Sequence, residues 1–297
     1  MSAVTHVNQP ADLLRLLRPH QWTKSGFVLV GLLFSPSAWM NAEVVTHVLL
    51  CAVAFALVAS GVYVINDLAD AEKDRAHPTK RTRPLASGAV TSSAALVLLA
   101  ACWGAGLTVA LHVSVMAAAL LTAYAALNLG YSFGWKNEMI LDVFLLASGF
   151  VLRVLVGTLA VGIEPSQWLL LTSTTVALFL GFAKRRAEYA RMEAGTVGTR
   201  KVLEQYSKVV LDKAITISAA CTILAYSLYT VAPDTVARHD TGSLVYTVPL
   251  VMYGVFRYLA CLHAEDATGD PSEDLLRDRH IQVTVALWLV VTAWVLA

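Results

Sequence analysis

Charged residues are scarce in this chain. Asp, Glu, Lys and Arg make up 14% of its 297 residues, and hydrophobic residues make up 57%. A soluble domain carries about 25% charged residues, so the composition excludes an ordinary soluble protein and predicts an all-α integral membrane protein. About 20 apolar residues cross a bilayer, and nine such spans can be drawn, at residues 25–42, 46–66, 91–110, 113–132, 139–161, 167–183, 214–232, 244–264 and 281–297.

Several other features that would assign a class are also missing. The four cysteines stand alone within predicted spans, which matches neither a disulfide framework nor a zinc site. No glycine-rich nucleotide-binding fingerprint is present, and a net charge of +1 gives no indication of a nucleic-acid partner. Because no Pro- or Ser-rich linker divides the chain, residues 1–297 are predicted to form one integral domain, with an interfacial amphipathic helix at about residues 10–18.

The basic residues have a distribution that predicts orientation. With the N-terminus inside, 19 of the 22 Lys and Arg residues fall on the cytoplasmic side, since Arg238 alone lies in an outer loop and Arg153 and Arg257 lie within spans. Lys and Arg collect in cytoplasmic loops of membrane proteins. We therefore expect a multi-pass protein of the cell (inner) membrane, with its charged loops around a central cavity that opens to the cytoplasm.

The first acidic cluster lies at the end of the second apolar run. Asn66, Asp67, Asp70 and Asp74 project from one side of a helix, because residues three and four apart share a face. Hard cations such as Mg²⁺ bind through one or two carboxylates together with substrate phosphates. The cluster is therefore a candidate Mg²⁺ clamp. A solvated helix end, with the acids paired to neighbouring cations, is the alternative.

A basic segment follows the acids directly and supplies cations beside them. It runs from His77 to Pro84 and includes Lys80 and Arg83. A metal clamp next to an anion-binding loop suits a diphosphate substrate. The same loop could also serve only to anchor the chain on the cytoplasmic side.

Three further clusters are candidates for substrate contacts. The second combines Tyr131 and Lys136 with Asp142, and Arg153 lies three turns further on, where a structural and a ligand role are equally open. The third contains Lys184, Arg185 and Glu188, for which anchoring to anionic lipid is the alternative. The fourth, at residues 263–279, is mostly acidic and could form a lid or a second metal contact.

These motifs resemble those of a known family. The pattern from Asn66 to Gly88 looks like the first signature of the UbiA superfamily of intramembrane polyprenyl transferases, which has a nine-helix fold. Further matches resemble its decaprenyl-phosphate phosphoribosyltransferase branch, and they lie at residues 18–24, 131–142, 183–188, 199–206 and 269–273. The chain departs from the superfamily's usual second Asp-x-x-x-Asp motif, because Leu146 stands four residues after Asp142.

The resemblance implies a reaction and roles for residues. The cofactor is Mg²⁺, and phosphoribosyl diphosphate donates a 5-phosphoribosyl group to a polyprenyl phosphate. Asn66, Asp67, Asp70 and Asp74 are the candidate catalytic residues, and the three aspartates are also the candidate metal ligands. The candidate substrate-binding residues are Lys24, Arg75, His77, Lys80, Arg83, Tyr131, Lys136, Asp142, Lys184, Arg185 and Glu188.

Two other functions remain open from the sequence. A UbiA-type prenyltransferase would move a prenyl group from a prenyl diphosphate to an aromatic acceptor, and the missing second acid weighs against it. A lipid or anion transporter would need gates on both faces, whereas the predicted outer loops are short and nearly uncharged. A homo-oligomer is compatible with the sequence, because lipid and a neighbouring subunit are contacted by the same residue types.

Overall fold

The computed structural model describes residues 7–76, 80–195, 201–262 and 277–296, and these residues form only helices and their connections. The α-helices are α1 Pro10–Leu17, α2 Val30–Leu33, α3 Pro36–Trp39, α4 Ala42–Arg75, α5 Ser92–Val113, α6 Val115–Phe133, α7 Leu141–Val156, α8 Gln167–Glu193, α9 Lys208–Val231, α10 Pro233–His239, α11 Val248–Leu262 and α12 Arg279–Leu296. Short 3-10 helices lie at Pro19–Leu29, Lys80–Thr82, Trp135–Asn137, Leu159–Val161, Lys201–Gln205 and Ser243–Thr247.

Seven helical segments of the described chain are long and apolar enough to cross a membrane. They contain α4, α5, α6, α7, α9, α11 and α12, and they coincide with seven of the predicted spans. The predicted span 167–183 falls within α8, which has 27 residues but carries a strongly charged C-terminal half. The all-α prediction is thus confirmed for the described residues, while the count of nine spans stays a prediction.

The predicted first span, residues 25–42, is not one α-helix. The chain here forms the 3-10 helix Pro19–Leu29 and then the four-residue helices α2 and α3. The 3-10 helix lies directly against the backbone at Gly157, where an added Cβ would come within 1.7 Å of the Val28 carbonyl oxygen. The hydrophobic run predicts one regular helix, but the close backbone contact at Gly157 and the proline at the start of α3 interrupt it.

Side-chain caps define where the long helices begin. Asn41 accepts hydrogen bonds from the amides of Glu43 and Val44 at the start of α4. Hydroxyl side chains of Thr91, Ser114, Ser166 and Ser207 cap α5, α6, α8 and α9 in the same way. Such caps pair amides that have no partner within the helix. The polar residue before each apolar run therefore sets the first residue of the helix.

The chain groups into two compact units. The first unit contains Met1–Gly134 and Leu152–Glu164, and the second contains Trp135–Val151 and Pro165–Ala297. The core of the first unit packs residues of α4 against α5 and α6 and includes Phe55 and Leu121. The core of the second unit includes Phe179, Leu211 and Tyr258. The first acidic cluster lies in the first unit, and the cluster around Arg185 lies in the second.

Helix α4 is longer than a membrane requires, and this length places the acidic cluster. Its 34 residues extend about 50 Å at 1.5 Å per residue. The hydrocarbon core of a bilayer is about 30 Å thick. The final turns, with Asp67, Asp70 and Asp74, can therefore lie beyond the hydrocarbon while the apolar turns remain within it.

Candidate active site

Two acids at the end of α4 are almost completely enclosed by protein. The side chain of Asp67 is 3% exposed and that of Asp74 is 6% exposed. The two residues are separated by about two helical turns, so their carboxylates point to the same side of α4. Enclosed carboxylates need a cationic or hydrogen-bonding partner, because burial of an unpaired charge is unfavourable.

Two arginines from outside α4 provide those partners. Arg83 Nη1 donates to Asp67 Oδ1 at 3.1 Å and to Asp74 Oδ2 at 2.7 Å. Arg18 Nη2 donates to Asp67 Oδ1 at 2.5 Å. The acids are thus paired neither to Lys73 nor to Arg75 in these contacts. One guanidinium nitrogen lies between two carboxylates that come from the same helix.

Asn66 is held by a neighbouring helix of the same unit. The hydroxyl of Ser132, near the end of α6, donates to Asn66 Oδ1. Ser132 itself is buried, and it also contacts the carbonyl oxygen of Asn128 at 2.7 Å. This contact fixes the carboxamide of Asn66 next to the acid cluster.

The other predicted residues of the first unit differ in exposure. Lys24, Asp70, Lys80 and Tyr131 are half-buried, and each makes at least one interaction with the rest of the protein. Arg75 is exposed at the end of α4. His77 lies outside the described residues.

The donor chemistry of this cluster fits a hard divalent cation. No group of three or more Asp, Glu, His and Cys residues is arranged as a ready metal site within the described part of the chain. However, Asp67 and Asp74 both lie within 3.1 Å of one cationic nitrogen, so their oxygens already converge on a single positive centre. Mg²⁺ needs only one or two carboxylates when phosphates complete its shell. Asp67, Asp74 and the nearby Asp70 therefore provide a suitable partial ligand set.

A second network, in the second unit, surrounds Arg185. Both Arg185 and Asp142 are completely buried. Arg185 Nε donates to Asp142 Oδ2 at 2.5 Å, and Arg185 Nη1 donates to Glu188 Oε2 at 2.5 Å. The structure thus brings together three predicted substrate-binding residues, but their charged groups face one another.

Tyr206 completes this network from the segment that follows α8. Its hydroxyl donates to Asp142 Oδ1 at 2.8 Å and accepts from the amide of Ile140 at 2.8 Å. Ile140 has a φ of 71°, which is unusual for a β-branched residue. Burial raises the pKa of Tyr206, and the hydrogen bond to Asp142 raises it further. The phenol therefore stays protonated and holds the start of α7 in place.

The remaining predicted residues of the second unit are only partly described. Lys136 and Lys184 are half-buried, and each makes at least one interaction. Residues 196–200 and most of the fourth cluster, at 263–276, lie outside the described residues. At the border of that cluster, Arg257 Nη2 donates to Asp278 Oδ2 at 2.6 Å. The hydrogen bond from Arg257 lowers the pKa of Asp278 well below its usual range.

Arg153 has aromatic neighbours within the first unit. Its Cζ lies 4.6 Å from the centre of the Phe55 ring and 5.2 Å from that of Tyr124. Its Nη2 also donates to the Tyr124 hydroxyl at 3.4 Å. Cation–π contacts of this kind stabilise a buried guanidinium. These contacts favour the structural role that the sequence left open for this residue.

Arg18, Ser132 and Tyr206 are site residues that were not among the candidates. Each occurs in a sequence motif that carries the family resemblance, but each contacts its partner across a long separation in the chain. Arg18 and Asp67 are 49 positions apart, and Tyr206 and Asp142 are 64 apart. The sequence signal for such a partner is the position of Asp67 at the end of an apolar run, because a carboxylate there requires a cation from another segment.

The chain is similar in sequence to known proteins. The chain is 35% identical over 288 residues to decaprenyl-phosphate phosphoribosyltransferase of Corynebacterium glutamicum, covering 95% of this chain and 86% of that protein. It is 33% identical to the enzyme of the same name from Mycolicibacterium smegmatis, covering 95% of this chain and 91% of that protein.

A solved structure gives the same fold. A UbiA homologue from Archaeoglobus fulgidus bound to GPP and Mg²⁺ has a TM-score of 0.71 at 19% identity, with 96% of this chain and 99% of that chain covered. The model of the UbiA prenyltransferase family matches residues 25–273. The chain therefore belongs to the UbiA prenyltransferase family.

Proposed function

We propose that the protein transfers a 5-phosphoribosyl group from phosphoribosyl diphosphate to a polyprenyl phosphate of the decaprenyl type, in a reaction that depends on Mg²⁺. The products are polyprenyl-phosphoryl-5-phosphoribose and diphosphate. The observation that carries the proposal is the convergence of Asp67 and Asp74 on one cationic centre. The relatives that are named decaprenyl-phosphate phosphoribosyltransferase support this choice of donor and acceptor.

Asp67, Asp70 and Asp74 are the proposed ligands of Mg²⁺, and Asn66 orients the donor beside them. The bound metal would supply Lewis-acid neutralisation of the leaving diphosphate. Asn66 is suited to orientation because Ser132 fixes its side-chain oxygen.

Basic side chains bind the phosphate groups in this proposal. Arg83 presents a planar fork that matches phosphate oxygens, and Lys80 and Lys24 act as point charges. Arg75 and His77 are further proposed substrate contacts. Tyr131, Lys136 and Lys184 are further proposed substrate contacts.

Bond changes in the transfer are simple. An oxygen of the lipid phosphate forms a bond to the anomeric carbon of the ribose, and the bond between that carbon and the diphosphate oxygen breaks. Diphosphate leaves with the electron pair. A phosphate monoester is already anionic near pH 7, so no strong general base is needed. Positioning and charge stabilisation supply most of the rate.

Asp142, Arg185 and Glu188 take a different part in the proposal. Their charges pair with one another at 2.5 Å in a buried network. They are therefore proposed as positioning residues that hold the start of α7 against α8. Lys184 and Tyr131 stay proposed substrate contacts. Cytoplasmic access to the charged loops and an inner-membrane location belong to the same proposal.

A transfer assay tests the function. Purified protein in lipid is supplied with Mg²⁺, decaprenyl phosphate and labelled phosphoribosyl diphosphate. We expect label to enter the organic phase with the wild type and to be lost in Asp67→Asn. Asp12→Asn, which alters an acid of α1 outside the cluster, serves as the matched control. Product formed instead from a prenyl diphosphate and an aromatic acid would assign the protein to prenyl transfer and refute the proposal.

A further inference from the structure

The two arginines that bind the carboxylates at the end of α4 are more exposed to solvent than those carboxylates. The side chains of Arg18 and Arg83 are 24% and 31% exposed, against 3% and 6% for Asp67 and Asp74. A ligand that approaches from solvent therefore meets the guanidinium groups first. A cation cannot occupy the position between the two carboxylates while Arg83 Nη1 remains there.

Arg18 is built into this position by local structure. It lies between α1 and the 3-10 helix with φ 52° and ψ 61°, a left-handed conformation that is uncommon outside glycine. Its Cζ lies 5.1 Å from the centre of the Tyr63 ring, and Tyr63 is one turn before Asp67 on α4. The ring can continue to support the guanidinium when its contact with Asp67 is released.

We propose that Arg18 and Arg83 are exchange residues. Without metal they neutralise Asp67 and Asp74, and when a divalent cation takes those carboxylates the two guanidinium groups transfer to oxygens of the diphosphate. The proposal rests on the metal site of the proposed function. It adds Arg18 to the substrate-binding residues and gives Arg83 two alternating partners.

Coupling between the two ligands follows from this exchange. The metal alone must displace a guanidinium that then has no anionic partner, and the diphosphate alone must compete with two carboxylates for the same guanidinium groups. When both ligands bind, the metal takes the carboxylates and the diphosphate takes the guanidinium groups, so neither ligand has to compete with an ion pair. Such coupling is reciprocal, so diphosphate should tighten metal binding by the factor by which metal tightens diphosphate binding.

Binding measurements on the full-length protein in detergent test the exchange without turnover. Mn²⁺ replaces Mg²⁺ because its free form is measured by electron paramagnetic resonance, and labelled inorganic diphosphate is the second probe. Without diphosphate, Arg83→Gln should bind Mn²⁺ about tenfold more tightly than the wild type, since it removes the competing cation. At saturating Mn²⁺, it should bind diphosphate about tenfold more weakly.

Control variants separate the possible explanations. Arg81→Gln removes an equal charge from an exposed position in the same loop and should change neither affinity. Arg18→Gln should shift both affinities in the same directions as Arg83→Gln, and size-exclusion chromatography checks that each variant is folded. Asp67→Asn should lose Mn²⁺ binding.

Three results would overturn the exchange. Weaker or unchanged Mn²⁺ binding in both arginine variants, with binding lost in Asp67→Asn, would leave the metal site intact and refute exchange alone. Equal effects of Arg81→Gln would show that overall charge, and not exchange, determines both affinities. Undiminished Mn²⁺ binding by Asp67→Asn would remove the metal site itself, and the proposed function would lose its clamp.

Discussion

Adjacent arginines on α8 have very different surroundings. Arg185 is fully buried between Asp142 and Glu188. Arg186 Nε pairs at 2.8 Å with Asp212, whose side chain is 37% exposed. The first interaction is shielded from water, whereas solvent reaches the second at Asp212 and salt partly screens it.

Substitution of these two arginines should therefore have unequal effects on stability. Arg185→Gln leaves two carboxylates without their cation, and we expect the free energy of unfolding to fall by about 3 kcal/mol. Arg186→Gln should lower it by less than about 1 kcal/mol. Denaturant unfolding in detergent measures both values. Equal losses would show that the buried network does not hold the second unit together.

The sequence indicates several members of each charged cluster but not their pairing. Asp67, Asp70 and Asp74 were identified because acids in an apolar run demand an explanation. The arginine partners of Asp67 and Asp74, which are Arg18 and Arg83, come from segments before and after the helix. Arg185 is a candidate substrate-binding residue from the sequence, and only the fold reveals two carboxylates around it. Local spacing carries no information about such long-range contacts.

At the scale of elements, apolar runs of about 20 residues predict the seven described helical segments that are long and apolar enough to cross a membrane. Residues 25–42 differ from these segments, because their composition is apolar but they do not form one α-helix. The contact between Val28 and Gly157 decides this conformation. Two backbones can approach so closely only where a side chain is absent.

Matched glycine substitutions test the importance of this approach. Gly157→Ala places a methyl group 1.7 Å from the Val28 carbonyl oxygen, so the 3-10 helix must move away. We expect a loss of about 1–3 kcal/mol in the free energy of unfolding. Gly104→Ala, in α5 with nothing within 4 Å of the new methyl group, should be neutral or stabilising. Thermal unfolding of both variants measures the difference, and equal melting temperatures would contradict the expected clash.

At the scale of the whole molecule, the distribution of basic residues predicts which ends of the helices face the cytoplasm. Single cysteines in a cysteine-free background test this orientation. Arg81→Cys should react with a membrane-impermeant maleimide only in inverted vesicles, and Arg238→Cys only in intact cells. Both side chains are exposed, so burial does not prevent labelling. The reverse pattern would place the acidic cluster on the outer face and refute the cytoplasmic orientation.

The order of synthesis gives the ion pairs of α4 a further consequence. Arg18 is made 49 residues before Asp67, and Arg83 is made 16 residues after it. While α4 enters the membrane, Asp67 can meet only the earlier arginine, and Asp74 must await the later one. The end of α4 therefore reaches its charge-balanced state only after translation has passed the following loop, which couples completion of this helix to chain elongation.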